Sequence, residues 1–425
     1  MDALLDMLDK SISLAPRTMS RISRGEMETI RADETISESP LLPALRHQLL
    51  RLEAIASVKV DGSKAGYTDL VKLETSLLNA PLFAHNVETM YRRAVKLRLT
   101  DPCGTVRAIC YMSAIEWISE HVSPAHSIES GIIDELYARY DENEIARIHN
   151  KYSGVGECAG RFEERARCDV AFTGKEGEWS DYLEFVNQDI FSPSTQAEVS
   201  HALLQMIGLG QCKTDGYERA LTHAILYRRG MLTKSISPLA IGPVIDIQRH
   251  AGSIFENMSP FLTKGLSSEA LRFDFDDTAF CLLASARTMS LCAKVLKGID
   301  FDWTRRLGLR GGKDTASLLL RLFIEYGYLT IDTASKKMQR SFSMTSAAMR
   351  RLEEAGLVAE AGHVSKRRIF CAAKIMRLFE ALMKRLTSNA TVTRDDVLEE
   401  LGKPPEAVLA DGDSDAERQK WDISL

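Results

Sequence analysis

The chain lacks the spacings that mark a metal centre or a disulfide scaffold. None of its eight cysteines (Cys103, Cys110, Cys158, Cys168, Cys212, Cys281, Cys292 and Cys371) form a CxxC pair, and its nine histidines form neither HxxxH nor HExxH. Scattered cysteines among apolar neighbours read as reduced, buried thiols of a cytosolic protein. No run of about 18 apolar residues is present, which argues against a membrane span. The opening MDALLDMLDK carries early acids and lacks the apolar core of roughly seven or more residues that a secretory signal requires. Phosphate loops are missing too. Gly154, Gly156 and Ala159 imitate a dinucleotide fingerprint, but they follow IHNKYS rather than an apolar strand. The stretch Gly311-Gly312-Lys313-Asp314 lacks the Ser/Thr and the correctly spaced first glycine. A cytoplasmic protein with no metal and no cofactor is therefore expected.

The chain does hold ordinary globular material. At 425 residues, with 45% hydrophobic and 27% charged residues, it can bury a sizeable core. Net charge is −5, which excludes a polycation overall. The charge is unevenly placed, however. Residues 313–385 carry 14 Lys/Arg against 7 Asp/Glu, and residues 386–425 carry 4 against 10. A basic block followed by an acidic tail is a local signal of contact with a polyanion.

Hydrophobic periodicity predicts a mainly α protein. Residues 1–40 read as a short helix and a loose, flexible tail, and residues 41–150 as an N-terminal helical region. In the latter, Leu45, Leu49, Leu52, Ile55 and Ala56 recur at helical spacing. Asp101-Pro102 marks the start of a helix running to His121. Residues 151–308 form a second helical core, Gly-rich and charged at first. LGLRGGKD, residues 307–314, reads as the linker. Residues 315–386 are a compact unit, and 387–425 an acidic, partly disordered tail.

The unit at 315–386 reads as helix, strand, helix, turn, helix, wing. Residues 316–327 are an amphipathic helix with Leu318, Leu319, Leu322 and Phe323 inward. Leu329 to Ile331 suit a short strand, and Asp332 or Thr333 caps a helix to Gln339. Ser343 caps the next helix, stopped by Gly356. Two alternating runs then flank Ala361-Gly362-His363 as a hairpin. A recognition helix needs short polar residues at its start and cations for phosphates. Ser343, Thr345 and Ser346 offer the first; Arg350 and Arg351 lie beyond them. The wing adds Lys366, Arg367 and Arg368, and the preceding helix Lys336 and Lys337. This pattern resembles the winged-helix domains of bacterial regulators. The partner it implies is double-stranded DNA.

The body resembles the Fic family. Family members carry His-Pro-Phe, any residue, Asp/Glu, Gly-Asn-Gly-Arg, two residues, then Arg. The stretch HALLQMIGLGQCKTDGYERALTHAILYRRG, His201–Gly230, has that layout, with His201-Ala202 and Ile207 at matching places. Without gaps, Gly208 stands at the catalytic histidine and Cys212 at the metal-binding acid. Thr214 replaces Asn, and Gly216 replaces the first Arg. Arg219 keeps the last Arg. Upstream, EAIASVKVDG resembles the family's inhibitory helix, mapping to Ser57, Asp61 and Gly62 with Asp in place of Glu. That helix, in the family, sets its acid against an arginine of the active site. The resemblance spans roughly residues 41–300, with a winged helix following as in some Fic proteins.

Glycine cannot accept a proton, and cysteine is a poor ligand for a hard cation such as Mg²⁺. No enzyme is therefore expected. The favoured expectation is a helical Fic-like body followed by a small α+β winged-helix domain, acting as a DNA-binding transcription regulator and a homodimer. A small-molecule effector stays open. So do two other readings. One is an AMP-transferring enzyme with a divergent site, in which Asp215 takes a metal from a shifted register. The other is an antitoxin-like protein whose winged helix touches no DNA.

Overall fold

A computed structural model describes residues 16–77, 86–124, 126–153, 176–207, 215–244, 275–309, 314–364, 366–388 and 423–424. The fold is mainly α, with a small α+β region toward the C-terminus. In chain order the body contains α1 (Pro16–Ser37), α2 (Leu42–Val60), α3 (Tyr67–Leu77), α4 (Val87–Lys96) and α5 (Pro102–His121). It continues with α6 (Ser130–Arg139), α7 (Glu142–Ser153), α8 (Glu176–Asn187), α9 (Pro193–Ile207), α10 (Asp215–Arg228) and α11 (Phe275–Arg306). The C-terminal part holds α12 (Thr315–Tyr326), β1 (Tyr328–Thr330), α13 (Ile331–Met338) and α14 (Phe342–Glu354). After these come β2 (Ala359–Val364), β3 (Arg367–Cys371), α15 (Ala373–Ser388) and β4 (Ile423–Ser424).

The N-terminal stretch differs from expectation. Residues 16–37, expected as a loose tail, form a 22-residue helix. Ile22, Gly25, Thr29, Ala32, Asp33 and Ile36 recur at three- and four-residue steps and are buried. This face lies along α11. The approach is close at Gly25, where a Cβ would stand 2.8 Å from Leu282 Cβ. Sparse large apolar residues hid this helix from the periodicity. Long and apolar enough by length and composition to cross a membrane, Asp277–Arg306 has 72% of its apolar window buried inside the protein. It packs chiefly along α1.

Around α2 and α5 the predicted punctuation holds. Asp101 caps α5 by accepting from Gly104 N at 2.8 Å, with Pro102 in the first turn. Burial pushes the thiols of Cys110, Cys292 and Cys371 up to about 12, so they stay protonated. The glycine pair Gly154/Gly156 lies outside the described residues.

In the C-terminal part, β3 is flanked by β1 and β2 in an antiparallel sheet, and β4 pairs parallel with the outer edge of β2. Three details depart from the sequence reading. Leu319, Leu320, Phe323 and Ile324 are the buried apolar positions of α12, whereas Leu318 and Leu322 are half-buried. That rotation arises because α12 packs against both α14 and α2. Second, Thr330 caps α13, accepting from Thr333 N at 3.1 Å, rather than Asp332 or Thr333. Third, the hairpin closes beyond Val364, which pairs with Arg367, with Lys366 in the turn, not at Ala361–His363. Gly362 instead lies within β2 at a bulge, with φ of 118°, a conformation open mainly to glycine.

The C-terminal α+β segment is fastened to the body through α2. The last carbonyls of α12 lack intrahelical partners, as at any helix end. Gln48 Nε2 donates to Ile324 O at 2.7 Å and Glu325 O at 3.1 Å. Arg51 donates to Glu325 O at 2.9 Å and Tyr326 O at 3.1 Å, a cation set on the negative end of a helix. Its Nε also bonds Glu74 Oε2 at 2.8 Å, and His47 meets the other oxygen at 2.6 Å. A stacked pair, Tyr67 and Phe379 at 5.5 Å, ties α3 to α15.

Candidate functional site

Two places match the sequence candidates. The first is the exposed side of α14 with the wing. Here Ser341, not Ser343, is the N-cap of α14, accepting from Met344 N at 3.3 Å. The helix therefore starts two residues earlier than expected, and Ser343 is free to lie on its outer face. Buried Thr345, Ala348, Met349 and Leu352 define the inner face. Ser343, Ala347 and Arg350 are exposed on the other side, one to two turns apart. Ser346 is half-buried beside them.

Two of the predicted contact residues do not belong to this surface. Thr345 is fully buried, and its hydroxyl donates to Ser341 O at 3.0 Å, completing the first turn. Arg351 turns back to the body, donating to Leu307 O at 2.6 Å and lying 3.5 Å from Asp314. Thr345 stands three, four and seven residues before the buried Ala348, Met349 and Leu352, so it shares their inner face.

The remaining cations fall into two groups. Lys336 and Arg367 share Asp332, at 3.0 and 2.7 Å. The hydrogen bond from Lys336, reinforced by Arg367, holds that carboxyl below its usual value. Arg368 pairs with Glu360 at 2.5 Å and Glu353 at 3.6 Å, over the ring of Phe370. These three cations are partly neutralised where they stand. Lys337 lies 4.1 Å from the centre of the Tyr326 ring and donates to its hydroxyl. Arg350 has no ion-pair partner among the described residues, and Lys366 sits exposed at the hairpin tip with φ of 66°. Arg340, which the sequence reading passed over, is likewise exposed just before α14. Its place in the turn between two capped helices was the available signal.

The second place is a buried polar seam where three helices meet. Helix α2 contributes Glu53 and Ser57 and ends at Asp61, α5 contributes Arg107 and Tyr111, and α10 contributes Arg219 and His223. Each set is spaced by four residues and so lies along one helical face. Arg219 donates from Nε to Ser57 Oγ at 2.8 Å, and from one terminal nitrogen to Ser57 O at 3.1 Å and both Asp61 oxygens at 3.0 Å. Arg107 adds a second guanidinium to Asp61 at 2.6 Å. The Asp61 side chain is 1% exposed. Deeper in, Glu53 accepts from Tyr111 at 2.9 Å and Ala240 N at 2.8 Å, and meets His223 Nε2 at 3.2 Å. Burial, with Glu53 beside it, raises the Tyr111 phenol well above 10, so it stays a donor.

Ser57, Asp61 and Arg219, quoted separately from the sequence, are thus in direct contact. Gly62 follows with φ of 82°, just past the end of α2. Gly208, Cys212 and Thr214 lie outside the described residues, and Asp215 opens α10. Gly216 faces Tyr140, where a Cβ would stand 2.5 Å from the hydroxyl, leaving no room for arginine. Sequence reading missed Glu53, Arg107 and Tyr111; the repeated spacing of four was the signal that pointed to them. Among the described residues no group of His, Cys, Asp and Glu is arranged to hold a metal ion. In comparison with known proteins, no family model matches the chain, and no curated protein sequence does.

Proposed function

We propose that the chain is a sequence-specific DNA-binding protein that regulates transcription from the cytoplasm, built on a Fic-like helical body without the catalytic set. One observation carries this reading. The order α12, β1, α13, α14, β2, β3 matches that of a winged helix; its third helix exposes Ser343, Ala347 and Arg350, and Lys366 is exposed in the hairpin. Short side chains let a helix enter the major groove, and the cations suit the flanking phosphates. The pairing of Asp61 with Arg219 supports the Fic-like reading of the body, since the resemblance sets those two positions together. Acting as a homodimer, the protein would present two such helices about one DNA turn apart.

The test is a mobility-shift titration of the full chain with a randomised duplex pool at several salt concentrations. A duplex selected from the pool binds more tightly than bulk DNA, and its affinity falls linearly with log salt. Retention of no duplex, at low salt or high, overturns the proposal. A second reading, that α14 docks on protein, is favoured by Phe342 and Met344, which are more than half exposed. It predicts a partner complex that persists as salt rises.

A further inference from the structure

The exposed apolar pair at the start of α14 has a use within the DNA-binding reading. Phe342 is 60% exposed and Met344 52% exposed. Among the large exposed apolar residues described, they alone stand one residue apart. They flank Ser343 in the first turn, the part of a recognition helix that reaches base edges. Ser341 caps this turn, so its geometry is set before any ligand arrives.

The surroundings identify the occupant. Arg340 precedes the pair, Arg350 lies two turns along, Lys337 is on the preceding helix and Lys366 is at the wing tip; all are exposed. Of the nearby acids, Asp332, Glu353 and Glu360 are engaged by Lys336, Arg367 and Arg368, and Glu354 is exposed one turn beyond Arg350. Exposed apolar side chains on either side of Ser343, with exposed cations on the same helix, on the helix before it and in the hairpin, fit a polyanion that carries apolar groups between its charges. The major groove of duplex DNA is such a surface. Thymine presents its C5-methyl group on the groove floor, between two rows of phosphates.

Resting on the DNA-binding reading above, we infer that Phe342 and Met344 recognise thymine through its C5-methyl group. Ser343 between them is left for a polar base edge. The apolar pair thus biases the operator toward thymine at the positions under the first turn of α14.

Deoxyuridine tests this directly, because it keeps base pairing and removes only the methyl. A duplex selected by the full-length protein is resynthesised with each thymine replaced in turn. One or two replacements should weaken binding by about fourfold each, the effect of one buried methyl. Phe342→Ser or Met344→Ser should abolish the difference between the thymine and uracil forms at one of those positions. Both side chains are exposed, so the variants keep the wild-type unfolding midpoint. Equal binding of every uracil form overturns the inference while leaving DNA binding intact, as does a selected site without thymine. So does full thymine discrimination in both variants. If the variants instead change the sedimentation of the free protein with no change in discrimination, the pair joins copies of the chain and the inference fails. Retention of no duplex at all removes the DNA-binding reading and this one with it.

Discussion

Arg219 on α10 reaches across to Asp61 at the end of α2, with one guanidinium nitrogen 3.0 Å from both carboxylate oxygens. Arg107 holds the same carboxylate from α5. Three helices therefore depend on one acid. Removing it takes a shared carboxylate from two guanidinium groups that are at most 12% exposed. Asp61→Ala should cost about 3–5 kcal/mol of unfolding free energy, measured by urea titration, because breaking a buried pair leaves an uncompensated charge. The same truncation at Glu144, whose pair with Arg147 is exposed, should change stability little. Equal effects would mean that the seam carries no special weight.

Glu74 makes stability depend on acid. Burial opposes its charge, but Arg51 and His47 outweigh burial and bring the carboxyl down to about 2, from an ordinary 4.5. Its folded value is depressed, so its contribution is complete above pH 4.5 and is lost as pH falls toward about 2. The shift corresponds to about 3 kcal/mol. Acid titration of the wild type should show a loss of stability across that window. Glu74→Gln should flatten the loss. Arg51→Met should go further, since it also releases the carbonyls of Glu325 and Tyr326 that fasten α12 to the body.

Elements with strong local signals were legible in the sequence. Asp101-Pro102 marked α5, and the alternation after Gly356 marked the two wing strands. Ser57, Asp61 and Arg219 were singled out in the sequence, and the structure brings them into contact. What was hidden depended on tertiary context. Helix α1 buries small and polar residues such as Gly25, Thr29 and Asp33, which carry no hydrophobic period. Asp33 is buried because it gathers the hydroxyls of Thr233 and Ser235, 200 residues away or more. The start of α14 was misplaced because Ser341 and Ser343 are equally good caps by sequence.

Two glycines should respond oppositely to alanine. At Gly25 the new methyl would stand 2.8 Å from Leu282 Cβ, a rigid part of α11. The helices must separate, at a cost of about 1–3 kcal/mol. Gly298 is exposed on α11 with nothing within 4 Å of a Cβ. Gly298→Ala should stabilise by roughly 0.5–1 kcal/mol through helix propensity. Thermal unfolding of the two variants gives the signs. A neutral Gly25→Ala would show that α1 and α11 are not in tight contact.

The cations of the C-terminal α+β segment should divide by where they point. Arg350 is exposed on the outer face of α14, so Arg350→Ala should weaken DNA binding and lower the salt slope by about one. Lys366→Ala at the hairpin tip should do the same. Arg351 lies one residue away but donates to Leu307 O and approaches Asp314. Its loss should lower the unfolding midpoint and leave the salt slope unchanged. Lys336, Arg367 and Arg368 already face acids, so each phosphate contact they make must first displace Asp332, Glu353 or Glu360. Removing Asp332 therefore frees two cations at once, and Asp332→Asn should tighten DNA binding while steepening its salt dependence. Mobility shifts at a series of salt concentrations read all four variants. If Arg351→Ala lowers the slope as much as Arg350→Ala, α14 does not meet DNA with the face described.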